Sequence, residues 1–222
     1  MATPLPVRVR AGTGDHTLVL LHGRGADEND LFGLFDVLDP ERRLRGITVG
    51  GPLALPPGGR HWYVVPRVGF PDPVTFTETL ATLQRTLDEE LGLDWSTTII
   101  GGFSQGTVMS YALGLGAGRP APAGILALGG FIPTVEGWTP DLASRPGLPV
   151  LIAHGAQDAV ISVDFARAAR VRLEAGGAAV SYHESPVAHT IDPRVLPDVQ
   201  RWLAGLTMGG ASRRLLPGLD PG

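Results

Sequence analysis

Apolar residues along the chain fall into short unbroken runs separated by stretches of helical spacing. Runs at residues 16–21, 45–50, 97–103, 124–128 and 150–153 predict strands buried on both faces, the pattern of a parallel sheet. Residues 5–10 instead alternate apolar and basic positions, which predicts an edge strand, and residues 178–183 predict a last strand. Helices are expected at 29–38, 74–91, 105–115, 162–175 and 193–206. Acidic and Asn side chains at 26–30 suit the cap of the first, and Gly92 ends the second. Strands alternating with helices predict an α/β fold, a mostly parallel sheet with helices on both faces. No repeat or linker divides the chain, so residues 1–206 are expected to form one domain and the Gly-, Arg- and Pro-rich residues 207–222 a flexible tail.

Two stretches interrupt this rhythm. Residues 51–73 are rich in Pro and Gly and carry Trp62, Tyr63 and Phe70. A loop this long is either a functional wall, with Trp62 and its aromatic neighbours contacting substrate, or a surface loop that those aromatics pin to the core. The second stretch, Gly101-Gly102-Phe103-Ser104-Gln105-Gly106, turns sharply from an apolar strand into a helix with Ser104 at its apex. Gly102 and Gly106 remove the two Cβ atoms that would collide in so tight a turn. The result is the G-x-S-x-G nucleophile elbow, and the helix N-terminus brings partial positive charge to where an oxyanion would develop.

A serine hydroxyl is a weak nucleophile and needs a base, itself oriented by a carboxylate. In the order Ser, acid, His that accompanies this elbow, only His183 and His189 lie far enough downstream. His183 falls within the last strand, whereas His189 falls in the loop after it, and catalytic groups in open parallel sheets gather at strand carboxyl ends. The same rule selects Asp158, which follows the strand at 150–153, over Asp141 in a Pro-rich loop and Asp164 on a helix face. Glu184 and Asp192 flank His189 too closely to reach around it. His22 and His154 each precede a glycine at a strand end and read as structural turn residues.

Composition narrows the chemistry further. The 222 residues contain no cysteine, which excludes disulfides, thiolate metal sites and a Cys nucleophile. All 18 basic residues are arginine, so a phosphate-loop lysine and a Schiff-base lysine are absent. There is no H-E-x-x-H pair, and the acids Asp27, Glu28 and Asp30 lack calcium-loop spacing, so neither metal nor cofactor is expected. A net charge of −4 without a basic stripe excludes nucleic acid as an expected partner. The first ten residues fit neither a signal peptide nor a membrane span, and a soluble cytoplasmic protein without stable membrane association is expected, its oligomeric state open, a homodimer included.

Taken together, Leu21-His22-Gly23-Arg24-Gly25-Ala26-Asp27, the elbow around Ser104, His154-Gly155-Ala156-Gln157-Asp158 and Ala188-His189-Thr190-Ile191 resemble the phospholipase/carboxylesterase family of α/β-hydrolases, which includes bacterial carboxylesterases and acyl-protein thioesterases. The resemblance implies that Ser104 attacks, that His189 is base and then acid, and that Asp158 orients it. It also implies an oxyanion hole from the backbone N–H groups of Gln105 and Arg24. Two positions depart from the family pattern: Ala188 stands where members often have Gly, and Arg24 where they often have Leu. The activity expected is metal-free hydrolysis of short- to medium-chain carboxylic esters by a serine esterase, with thioester or lysophospholipid hydrolysis as the alternative and a non-catalytic binding protein on this fold as a further one. Residues 51–73 are too rich in Pro and Gly to form an amphipathic helical lid, which favours dispersed over aggregated substrates.

Overall fold

The computed structural model describes residues 4–213. Its strands are β1 Val7–Arg10, β2 Thr17–Leu21, β3 Arg45–Val49, β4 Leu53–Leu55, β5 Gly59–His61, β6 Thr98–Phe103, β7 Gly124–Leu128, β8 Pro149–Gly155 and β9 Ala179–Ser185. The α-helices are α1 Leu34–Leu38, α2 Pro73–Arg85, α3 Gln105–Leu115, α4 Val163–Ala175 and α5 Leu196–Arg213. Seven strands form one sheet in the order β1-β3-β2-β6-β7-β8-β9, parallel throughout except for β1, which pairs antiparallel with β3 at the edge. The expected α/β-hydrolase architecture is present.

Alternation along the central strands decides which helix covers which face. On β2, Leu18 and Leu20 pack with Phe35 and Leu38 of α1 and with Val199 and Leu203 of α5. Val19 and Leu21 point the other way, into a layer with Phe76 and Leu83 of α2 and Val108 and Ala112 of α3. Because both faces of β2 are fully buried, each of its Leu and Val side chains contributes about 1.5–3 kcal/mol of transfer free energy. At the edge strand the alternation places Arg10 inward, where it meets the buried Asp39 carboxylate at 2.5 Å.

Three helices differ from expectation. The first is helical only from Leu34, because residues 27–33 form successive i→i−3 turns, with Asp27 accepting the Asn29 N–H. The second gives way at Thr86–Glu90 to one wider π-helical turn, which keeps Leu87 buried while Asp88 accepts from the Trp95 indole and from Arg119. The last runs on to Arg213, beyond Thr207 where a tail was expected. Its earlier turns are seated by Val199 and Leu203, and glycine at about 1 kcal/mol per residue weakens a seated helix without stopping it. Residues 214–222 of that expected tail lie outside the described residues. Among the described residues no helix is long and apolar enough to cross a membrane.

Candidate active site

The carboxyl ends of β6, β8 and β9 carry Ser104, Asp158 and His189. Ser104 sits between the end of β6 and the first residue of α3 with φ 56° and ψ −119°. A non-glycine residue held there costs about 1–3 kcal/mol. The neighbouring glycines make the geometry attainable: a Cβ at Gly102 would lie 2.5 Å from the Leu21 carbonyl oxygen, and one at Gly106 would fall directly on that same carbonyl. β2 therefore presses against the elbow so closely that only glycine fits on either side of Ser104.

The candidate base and acid arrive on two loops bonded to each other. The Ala156 and Gln157 N–H groups donate to the carbonyls of Ser185 and Val187 at 2.7 and 3.0 Å, tying the loop after β8 to the loop after β9. Gly155 permits that approach, since a Cβ there would meet the carbonyls of Val187 and Ala188. Within this frame His189 Nε2 lies 2.9 Å from Ser104 Oγ, and Nδ1 lies 2.5 Å from Asp158 Oδ2. The imidazole also rests on Phe103, ring centroids 4.8 Å apart. Ala188 is not among the residues of positive φ, so its Cβ is tolerated where the family pattern often has Gly.

Asp158 is an acceptor on all sides. Its Oδ1 accepts from the N–H groups of Val160 and Ile161, both at 2.8 Å. Burial pulls its carboxyl up, but the His189 hydrogen bond and these two N–H donors outweigh burial and hold it below the usual aspartate value. The rival acids are engaged elsewhere. Glu184 binds Arg167 and Tyr182, and Asp192 accepts from Arg194 at the start of a 3-10 turn. His154, read from sequence as a turn residue, is fully buried with Nε2 2.8 Å from the Ile161 carbonyl and 3.3 Å from Asp158 Oδ2. It therefore touches the acid as well, a contact that its i,i+4 spacing from Asp158 could have signalled.

The expected oxyanion donors lie around the same point. Gln105 is the first residue of α3, where a backbone N–H has no intrahelical acceptor, and Arg24 follows β2 in the adjoining turn. Both line, with Ser104, a pocket of about 410 Å³. The Gln105 side chain does further work that sequence reasoning missed. Its Oε1 accepts the Trp62 N–H and its Nε2 donates to the Tyr63 carbonyl, each at 3.0 Å, so it clamps residues 62–63 to the elbow.

That clamp corrects the expectation for Trp62 as a substrate contact. Its indole is fully buried, stacks at 5.0 Å on His22 and donates to the His22 carbonyl at 2.8 Å. It supports the turn that carries Arg24 and does not line the pocket. Phe70 is also absent from the lining and packs instead under Arg67. The walls come from Tyr63, Val64, Val65 and Val68, completed by Phe131 and Val160 from distant loops. Both readings of residues 51–73 thus apply to different parts: Trp62 anchors, and Tyr63 with the valines after it faces the cavity. Within the first half, β4 and β5 form a small hairpin where sequence suggested only loop.

The sequence profile of the phospholipase/carboxylesterase family matches residues 7–207. Among curated proteins, the chain is 27% identical over 179 residues to acyl-protein thioesterase 1 of Debaryomyces hansenii, covering 74% of this chain and 73% of that protein. It is 23% identical over 216 residues to acyl-protein thioesterase 1 of Emericella nidulans, covering 84% and 88%. Among solved structures, a Bacillus cereus carboxylesterase superimposes with a TM-score of 0.79 at 23% identity, over 91% of this chain and 94% of the other. At that identity the superposition speaks for the fold.

Proposed function

The chain belongs to the phospholipase/carboxylesterase family of hydrolases, and from that premise we propose that it is a serine carboxylesterase acting on short- to medium-chain carboxylic esters through an acyl-enzyme. The observation that carries this reading is the unbroken hydrogen-bond path from Ser104 Oγ through both nitrogens of His189 to Asp158, at 2.9 and 2.5 Å. The first length lies within the range expected of a nucleophile and its base, and the second puts Asp158 in direct hydrogen-bond contact with the opposite ring nitrogen.

In the proposed reaction Ser104 Oγ adds to the ester carbonyl while its proton passes to His189 Nε2. Asp158 holds the opposite ring nitrogen protonated and stabilises the imidazolium that forms. The carbonyl oxygen becomes an oxyanion that accepts hydrogen bonds from the backbone N–H groups of Gln105 and Arg24, an interaction made in full only in the transition state. Collapse expels the alcohol, which takes the proton from Nε2. Water then repeats the sequence on the acyl-Ser104 and releases the acid. The 410 Å³ pocket falls at the small end of ordinary ligand sites, which supports acyl groups of modest length. Residues 1–206 act as one unit in this reading, since the three residues follow strands of a single sheet.

Treatment with a fluorophosphonate probe followed by peptide mass spectrometry is expected to place a single adduct on Ser104. An adduct elsewhere, or none on folded protein, would remove the esterase reading. Thioester hydrolysis is the second reading, favoured by the curated relatives named acyl-protein thioesterase 1. Comparing kcat/KM for matched oxygen esters and thioesters decides between them.

A further inference from the structure

The pocket beside Ser104 has an uneven charge distribution. Arg24 and Arg67 both line it, and no aspartate or glutamate does. Many other arginines have a carboxylate partner: Arg10 has Asp39, Arg119 has Asp88, Arg167 has Glu184, and Arg194 has Asp192. Arg24, by contrast, makes no side-chain hydrogen bond or ion pair among the described residues, and Arg67 rests only on the Phe70 ring, 3.7 Å from its centroid. The acids that follow Arg24 in sequence form no ion pair with it among the described residues. Asp27 accepts the Asn29 N–H, and a carboxylate oxygen of Glu28 is buried close to Gly50. Two cations thus face a cavity whose remaining walls include Val64, Val65, Val68 and Val160.

Filling such a cavity displaces water from both guanidinium groups. A neutral acyl chain would desolvate them without return, whereas an anion would be attracted more strongly as the local dielectric falls. We propose that the substrate carries a free carboxylate in addition to the ester that Ser104 attacks, a half-ester of a dicarboxylic acid being the simplest form. The proposal rests on the assignment of Ser104 as nucleophile. We commit to a carboxylate as the anion, because the planar guanidinium fork matches its two oxygens. Arg24 supplies two separate functions in this account, a backbone N–H to the oxyanion and a side chain to the distal anion.

The test compares kcat/KM for mono-p-nitrophenyl adipate and p-nitrophenyl hexanoate, which share a six-carbon acyl chain and differ in the terminal charge. Wild type is expected to favour the adipate by up to about fivefold, the upper end of what an ion pair at an exposed site contributes. The ratio should fall towards one in Arg24→Met and in Arg67→Met, and with added salt. Taking the ratio within each variant cancels any loss of folded protein. Equal or better turnover of hexanoate by wild type, or a preference that survives both substitutions, overturns the proposal while leaving the nucleophile assignment standing. If neither ester is turned over and Ser104 takes no probe, both fall. Hexanoate and hexyl phosphate as competitive inhibitors separate the two anions: tighter inhibition by hexanoate is expected, and tighter inhibition by hexyl phosphate overturns the choice of carboxylate.

Discussion

Replacing Asp158 with Asn tests the acid with little change of shape. Its Oδ1 accepts two backbone N–H groups at 2.8 Å, so the new amide must keep its oxygen there and turn its NH2 towards His189 and His154. A flipped amide would set donors against both Val160 and Ile161. In the favoured orientation the NH2 meets His189 Nδ1, which must then give up its proton and act as acceptor. The proton moves to Nε2, 2.9 Å from Ser104 Oγ, where a base is needed. The expected loss in kcat is up to about 10⁴-fold, roughly 5 kcal/mol of transition-state stabilisation, by analogy with the same change in a serine protease. KM and thermal midpoint should move little, because the carbonyl contacts of residue 158 persist. Glu184→Gln provides the contrast: this exposed side chain binds Arg167 and Tyr182, and losing a surface pair of that kind changes stability by about 0.2–1 kcal/mol and should leave kcat within about twofold. Initial rates on p-nitrophenyl butyrate, with melting curves on the same samples, measure both variants. A kcat for Asp158→Asn within tenfold of wild type, or a larger loss for Glu184→Gln, would refute the assignment of the acid.

Gly106→Ala should destabilise by about 3 kcal/mol or more, since its Cβ would strike the Leu21 backbone and neither strand nor elbow can give way; a melting temperature close to wild type would contradict that. Across p-nitrophenyl esters of increasing acyl length, kcat/KM should peak at short to medium chains and show no jump above the critical micelle concentration; a steady rise to the longest chains would favour lipid substrates. Stability should fall on acidification through His22, whose pKa burial lowers below 6.5 and whose Nε2 accepts the Gly51 N–H at 2.9 Å. Because the folded value lies below the unfolded one, its contribution is complete above pH 6.5 and is lost as pH drops from there through the folded value. Melting temperatures measured from about pH 8 to pH 5 should therefore decline, and a flat profile would show that His22 is not held neutral.

The alternation of apolar runs with helical spacing made the layered sheet readable, because burial on both faces leaves a continuous signature in each strand. Helix ends were less legible: the π-helical turn at Thr86–Glu90 engages Arg119, and the last helix is seated on Leu18 and Leu20 of β2, partners that lie far away in sequence. For Ser104, Asp158 and His189, the rule that reactive groups collect at strand carboxyl ends picked one acid and one histidine from several, and the structure brings those two together with Ser104. Trp62 shows where that reasoning ends. Its size and setting suggest a substrate wall, and only the fold reveals that the Gln105 side chain and the His22 carbonyl hold it behind the turn that carries Arg24.

Sequence by itself determined the chain's local commitments: which segments are strands, where glycine alone can fit, and which side chains can carry acyl-transfer chemistry. Such features are written in runs of neighbouring residues, where spacing and sterics act directly. Tertiary structure decided the distances and the walls. Ser104 and His189 stand 85 positions apart in sequence and 2.9 Å apart in space, and the pocket joins Arg24, Arg67 and Val160 from three separate loops. No local pattern encodes those meetings, because each depends on how two faces of one sheet are filled and on where the loops leaving it come to rest.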